Sequence, residues 1–115
     1  MFITVIYTTS KTFERVLRLV EKQEVMISEH GYDEMEEESI FVRDIMAGVK
    51  DAVVVEDFPD YPKGPCALVL QKDRDGQPIH VVWGIPKEAS TPAVVVTAYR
   101  PHHNLWSSDF LRIRR

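Results

Sequence analysis

Residues 66–85 read CALVLQKDRDGQPIHVVWGI, two apolar runs on either side of a short polar insert. The Asp75–Gly76 pair in that insert tolerates the positive φ angles of tight hairpin turns, so Cys66–Lys72 and Ile79–Ile85 are predicted to pair as an antiparallel hairpin. Alternation along the second run groups Ile79, Val81, Trp83 and Ile85 on one face and turns His80, Val82 and Gly84 to the other. Working outward, the same period of two marks Ala52–Phe58 and Ala93–Tyr99 as further strands. In the last of these it sets Val95, Thr97 and Tyr99 against Val94, Val96, Ala98 and Arg100. The connection DYPKGPC carries two prolines and a glycine, too many rigid and permissive positions for a ladder, and is expected to be an ordered surface loop.

Upstream of these strands the period is helical. Between Lys11 and about Glu24, Phe13, Val16, Leu17 and Val20 recur on one face, leaving Glu14, Arg15, Arg18, Glu21 and Lys22 for solvent. Ser28 is placed to cap a second helix running to about Glu38. Ser39 is placed to cap a third, with a stripe of Phe41, Ile45 and Val49 and with Gly48 as its left-handed stop. Met1 to Tyr7 is β-rich and reads as a short edge strand or an extended arm, which leaves either a monomer or an edge-paired homodimer open. The expectation is one α+β domain over residues 1–115, with two or three N-terminal helices packed on a four-stranded, mostly antiparallel sheet.

With 115 residues, 44% of them apolar and 28% charged, the chain is long enough and apolar enough to bury one core, which excludes a disordered or fibrous protein. No apolar run approaches the roughly 20 residues that span a bilayer, and MFITVIY lacks a basic flank and a cleavage site, so a cytoplasmic protein without a membrane partner is expected. Cys66 has no second cysteine to pair with, and Ala67, Leu68 and Val69 beside it point to a buried, inert thiol. A net charge of -4 disfavours nucleic acid, but the charge is uneven. Thirteen acidic residues between Glu21 and Asp60 face only Lys22, Arg43 and Lys50, whereas Arg112, Arg114 and Arg115 follow Arg100 with Asp109 alone against them. An anion site therefore belongs near the C-terminal part.

His30 falls in the first turn of the polar second helix, with Asp33 at i+3 and Glu34 at i+4, the arrangement of a general base oriented by a carboxylate. The same spacing suits a shared divalent ion, but no second histidine follows at helical spacing, and Glu36, Glu37 and Glu38 read as a solvated face; no metal or cofactor is expected. Taken alone, His30 is more often a capping or surface residue, and His80 more often a satisfied structural side chain. His102 and His103 follow Arg100 where the last strand ends, a loop position at which anion contacts collect.

Four segments carry a resemblance to a known family: SEHGYDEM (28–35), DAVVVEDFPDYPKGPC (51–66), GQPIHVVWGIP (76–86) and VVVTAYRP (94–101) followed by Trp106. From about His30 to Trp106 the chain resembles the bacterial family catalogued as domain of unknown function 4258. That family is similar in fold to the metal-independent ribonuclease toxins of the barnase, EndoU, colicin and RelE-like group. The resemblance implies RNA as substrate and carries the family's two histidines onto His30 and His80 and its terminal tyrosine and proline onto Tyr99 and Pro101; the leading reading built on it takes His30, His80, Tyr99 and Arg100 as catalytic and Tyr61, Lys63, Thr97 and His102 as substrate contacts. In that scheme His30 removes the ribose hydroxyl proton, His80 protonates the leaving oxygen, and Tyr99 with Arg100 stabilises the phosphorane. Many relatives carry arginine where this chain has Glu34 and near Glu38, which inverts a phosphate-contacting charge. The alternative is a non-catalytic protein-binding or regulatory module on the same fold, whose acidic helix face recognises a basic protein partner.

Overall fold

The structure, a computed structural model, describes residues 9–114. The expected strand or arm at Met1 to Tyr7 lies outside them. In chain order the elements are α1 (Lys11–Glu21), β1 (Val25–Ile27), α2 (Glu29–Glu37), α3 (Val42–Gly48), a short 3-10 turn (Val49–Asp51), β2 (Val53–Phe58), β3 (Cys66–Lys72), β4 (Pro78–Gly84) and β5 (Ala93–Tyr99). Among the described residues no helix is long and apolar enough to cross a membrane.

The four expected strands form, but the sheet has five, in the order β1-β5-β4-β3-β2. It is mixed and not simply antiparallel, because β1 pairs parallel with β5 while the other three pairings are antiparallel. The added strand lies between the first predicted helix, expected to reach about Glu24, and the Ser28 cap of the second. The first helix stops at Glu21, and Gln23, at φ 61, turns the chain into β1.

Local chemistry accounts for most of the element ends. Ser10 accepts the Phe13 amide at 2.9 Å and donates its own hydroxyl to Asp57 at 2.7 Å, which caps α1 and ties its start to β2. Ser28 caps α2 as expected, accepting the Gly31 amide at 2.9 Å. Ser39 does not cap α3; it takes φ 54 after α2, and α3 begins from Phe41 with no side-chain cap. Gly48 is not left-handed either, at φ -93; a side chain there would meet the Lys72 carbonyl, so its small size serves packing. The hairpin turn is as read, with Gly76 at φ 77 and Asp73 accepting the amides of Asp75 and Gln77 at 2.9 Å each.

The core lies on one face of the sheet. Phe13, Val16 and Leu19 of α1, Met35 of α2 and Ile45 of α3 pack on Ala67, Val69, Ile79, Val81, Trp83 and Val95. Gln71 also points into this layer and is fully used: its Nε2 donates to the Ile45 carbonyl at 2.8 Å and its Oε1 accepts from Trp83 Nε1 at 2.9 Å. It links α3 to β4 without leaving a buried polar atom unpaired.

The opposite face is set by a bulge. Val82 pairs with Thr97 but Trp83 pairs with Val95, so Val96 is an extra residue in β5. Simple alternation puts Tyr99 with Val95; the bulge reverses this, sending Ala98 into the core and Tyr99 to the face of His80, its direct partner. Past β5, residues 101–114 double back as a tight loop closed by the Trp106–Ile113 bridge and by the Ser107 amide donating to the Arg112 carbonyl at 2.8 Å. This loop covers part of that second face.

Candidate functional site

His80 is brought to the second face by β4 and is 0% exposed. Its Nε2 lies 2.8 Å from the Phe110 carbonyl, an acceptor only, so the neutral ring carries its proton there. Nδ1 is then the acceptor for the Tyr99 hydroxyl at 3.2 Å. The Trp106 ring packs edge-on at 4.3 Å between centroids. Burial pushes the imidazole below its ordinary pKa, only partly offset by the bond to Phe110, and burial also raises the Tyr99 phenol. Phe110 presents its carbonyl from a left-handed backbone, φ 61.

Arg100 ends β5 next to this cluster, yet its guanidinium is committed. It donates to Asp73 Oδ2 at 2.9 Å and reaches the Pro78 carbonyl at 3.5 Å, fastening the end of β5 to the β3–β4 turn. Burial on its own raises the Asp73 carboxyl, but the bonds from Gln77, Arg100 and Asp75 outweigh it and hold the group below its ordinary value.

His30 stands elsewhere. On α2 its side chain is 66% exposed, and Nε2 lies 3.8 Å from Glu34 Oε1 at i+4, a loose surface pair. Among the described residues no third imidazole, thiol or carboxylate joins them in a metal-holding group. Since His80 has no exposed surface, it lines no cavity that His30 shares. Four of the eight sequence-derived residues therefore fall into two close sets. His80 and Tyr99 touch, and Tyr61 and Lys63 line a cavity of about 380 Å³ with Met26, Gly84, Val94 and Val96. Thr97 is half-buried beside the bulge, and His102 is exposed at the loop turn, where its carbonyl accepts the amides of Leu105 and Trp106. Burial, with Asp57 nearby, raises the Cys66 thiol, which suits an inert side chain.

The residues to which reasoning from sequence gave no part in a site are Asp73, Trp106 and Phe110, although Trp106 is the tryptophan that follows the fourth family segment. Asp73 was legible only as a turn former, and the loop holding the two aromatic residues has no period to betray its position.

On α2 the exposed residues are Glu29, His30, Tyr32, Asp33, Glu36 and Glu37, and among the described residues none of these four carboxylates forms an ion pair. The last turn holds no basic residue. The acidic stretch in the sequence thus leaves four unpaired carboxylates on the exposed surface of α2, around the Tyr32 that lies beside the β1 edge. Neither a curated protein nor a solved structure matches the chain. One family model does, over residues 27–100, which runs from the last residue of β1 through α2, α3 and the hairpin to β5 and stops short of the loop that seals His80. The chain belongs to that family, described as a domain of unknown function (DUF4258).

Proposed function

We propose that this domain is a non-catalytic protein-binding or regulatory module whose acidic α2 surface recognises a basic protein partner. The observation that carries this reading is the set of unpaired carboxylates on α2. Glutamates 36 to 38 cluster at the end of the helix where its dipole is negative, a placement that costs up to about 1 kcal/mol each at low salt. Folding alone gives no reason to keep them there. A ribonuclease of the kind the resemblance implies needs two imidazoles with free nitrogens around one phosphate, and both His80 nitrogens are engaged. Arg100, which follows Tyr99 in the chain, is bound to Asp73.

The test is titration of a fluorescent arginine-rich peptide, and of labelled RNA with chelator present, into the purified protein. The expected result is salt-sensitive peptide binding that weakens at least about tenfold when Glu29, Asp33, Glu36 and Glu37 are changed to their amides, with the RNA left intact. RNA cleavage abolished by His30→Ala and by His80→Ala would overturn the proposal in favour of the enzyme.

A further inference from the structure

The outer edge of β1 has the features of a docking strand. In a parallel ladder each residue turns its N–H and C=O to one side, and successive residues alternate sides. The Glu24 carbonyl accepts the Ala93 amide at 2.9 Å, and the Ser28 amide donates to the Val95 carbonyl at 3.0 Å, so even-numbered positions face β5. Val25 and Ile27 therefore turn their amides and carbonyls outward, where, among the described residues, the sheet order gives them no neighbouring strand.

Side chains beside this edge form a groove of about 460 Å³, lined by Val25, Met26, Ile27, Tyr32, Val42 and Met46. Met26 is 51% and Tyr32 54% exposed, large for apolar side chains gathered in one place. Edge strands are usually guarded by a lysine or a proline; Val25–Ile27 has neither, and its shortness limits indiscriminate pairing. Charge selects the occupant. Glu29 and Glu36 stand at i−3 and i+4 from Tyr32, on the same face of α2, and Asp33 adjoins it. The nearest cation in sequence to the groove's lining, Arg43, is held over the Phe41 ring at 5.2 Å.

We infer that β1 adds one extended segment of a partner protein as a sixth strand, and that this segment alternates apolar side chains with lysine or arginine. The apolar residues enter the groove, the basic ones meet Glu29, Asp33 and Glu36, and the main chain bonds Val25 and Ile27. This deepens the binding-module reading and rests on it. The residues 111–114 of a second copy, Leu-Arg-Ile-Arg, share the pattern, but Ile113 is bridged to Trp106 and the Arg114 amide to Leu105, so another protein's segment is the occupant.

The experiment uses a short peptide alternating valine and lysine, its analogue N-methylated on the amides of one edge, and its glutamate-for-lysine analogue. Binding is read by anisotropy and by amide shifts in ¹⁵N-labelled protein. Expected are the largest shifts at Val25 and Ile27, a loss of about tenfold or more on N-methylation, and no binding of the acidic peptide. Tyr32→Ser, at an exposed position, should weaken binding without moving the melting temperature. If the valine–lysine peptide binds but N-methylation and Tyr32→Ser change nothing, the docking strand is overturned while the acidic-surface reading stands. If neither this nor the arginine-rich peptide binds, both fall. Self-association that involves the Val25 and Ile27 amides and excludes the peptide would overturn the choice of partner.

Discussion

Acidification from about pH 7.5 to 5.5 should weaken this fold through one residue, His80. Its burial holds the folded pKa below the ordinary value of 6.5. In the unfolded chain the ring titrates near that ordinary value, so below it the unfolded state binds the extra proton. The stability that His80 contributes is therefore complete above about pH 6.5 and is lost as pH falls toward the folded pKa. If the folded ring stays neutral at pH 5.5, linkage gives a loss of about 1.4 kcal/mol, which is the ceiling for a single site over this window. Protonation would also make Nδ1 a donor and reverse its bond with the Tyr99 hydroxyl. The assay is urea unfolding at both pH values, followed by tryptophan fluorescence, for the native chain and for His80→Gln, whose amide offers one donor and one acceptor to the same partners. Exposed His30, His102 and His103 are common to both proteins and cancel in the comparison. Equal losses in the two proteins would refute the reasoning. Should His80→Gln not fold, the imidazole resonances of the native chain decide instead, since a His80 ring that becomes charged near pH 6.5 contradicts the burial argument directly.

Two other perturbations follow from the packing. Arg100→Gln removes the cation beside Asp73; with Arg100 31% exposed at its side chain and the pair screened by solvent, the cost should be about 1 kcal/mol in urea unfolding. The variant should also lose part of the stability that falls away in acid, because a carboxyl held below its ordinary pKa contributes stability above pH 3.8 that disappears as pH drops through its folded value. Gly31→Ala should destabilise by about 1–3 kcal/mol despite alanine's better helix propensity, because a Cβ at Gly31 would sit 2.8 Å from the Val95 carbonyl and push α2 off β5. A raised melting temperature in that variant would contradict the close approach.

The strands of the hairpin and β5 were legible because each half-buried strand repeats every two residues, and the Asp-Gly pair names its turn. β1 was not legible for a physical reason: three residues cannot display a period, and their pairing with Ala93–Val95 is a contact across most of the chain that no local pattern encodes. The bulge at Val96 was equally silent, since an extra valine in a valine run leaves alternation looking intact. That one residue decides whether Tyr99 faces the core or His80. Sequence reading thus put His80 on the correct face and grouped Tyr99 with Val95, on the wrong one. The Gly48 and Ser39 expectations failed for a related reason: both residue types have a second use, close packing for glycine and a left-handed turn for serine, and only the neighbours select between them.

The enclosure of His80 and the exposure of α2 respond to opposite demands. Where a polar group would be costly, this fold spends structure on it: Tyr99, Trp106 and Phe110 surround His80, Gln71 satisfies both Trp83 and Ile45, and Arg100 answers Asp73. Among the described residues no buried side-chain polar atom lacks a partner. The described residues leave a strand edge without a lysine or proline, exposed Met26 and Tyr32, and carboxylates at the wrong end of a helix dipole, all around β1 and α2. Each of these costs stability or solubility, and a lysine at an edge position or at the end of α2 would remove the cost. A sequence that satisfies its interior so fully is not short of means to do so. Departures from stability that gather on one surface are the pattern expected of a binding face, and they support the proposed docking of an extended basic segment there.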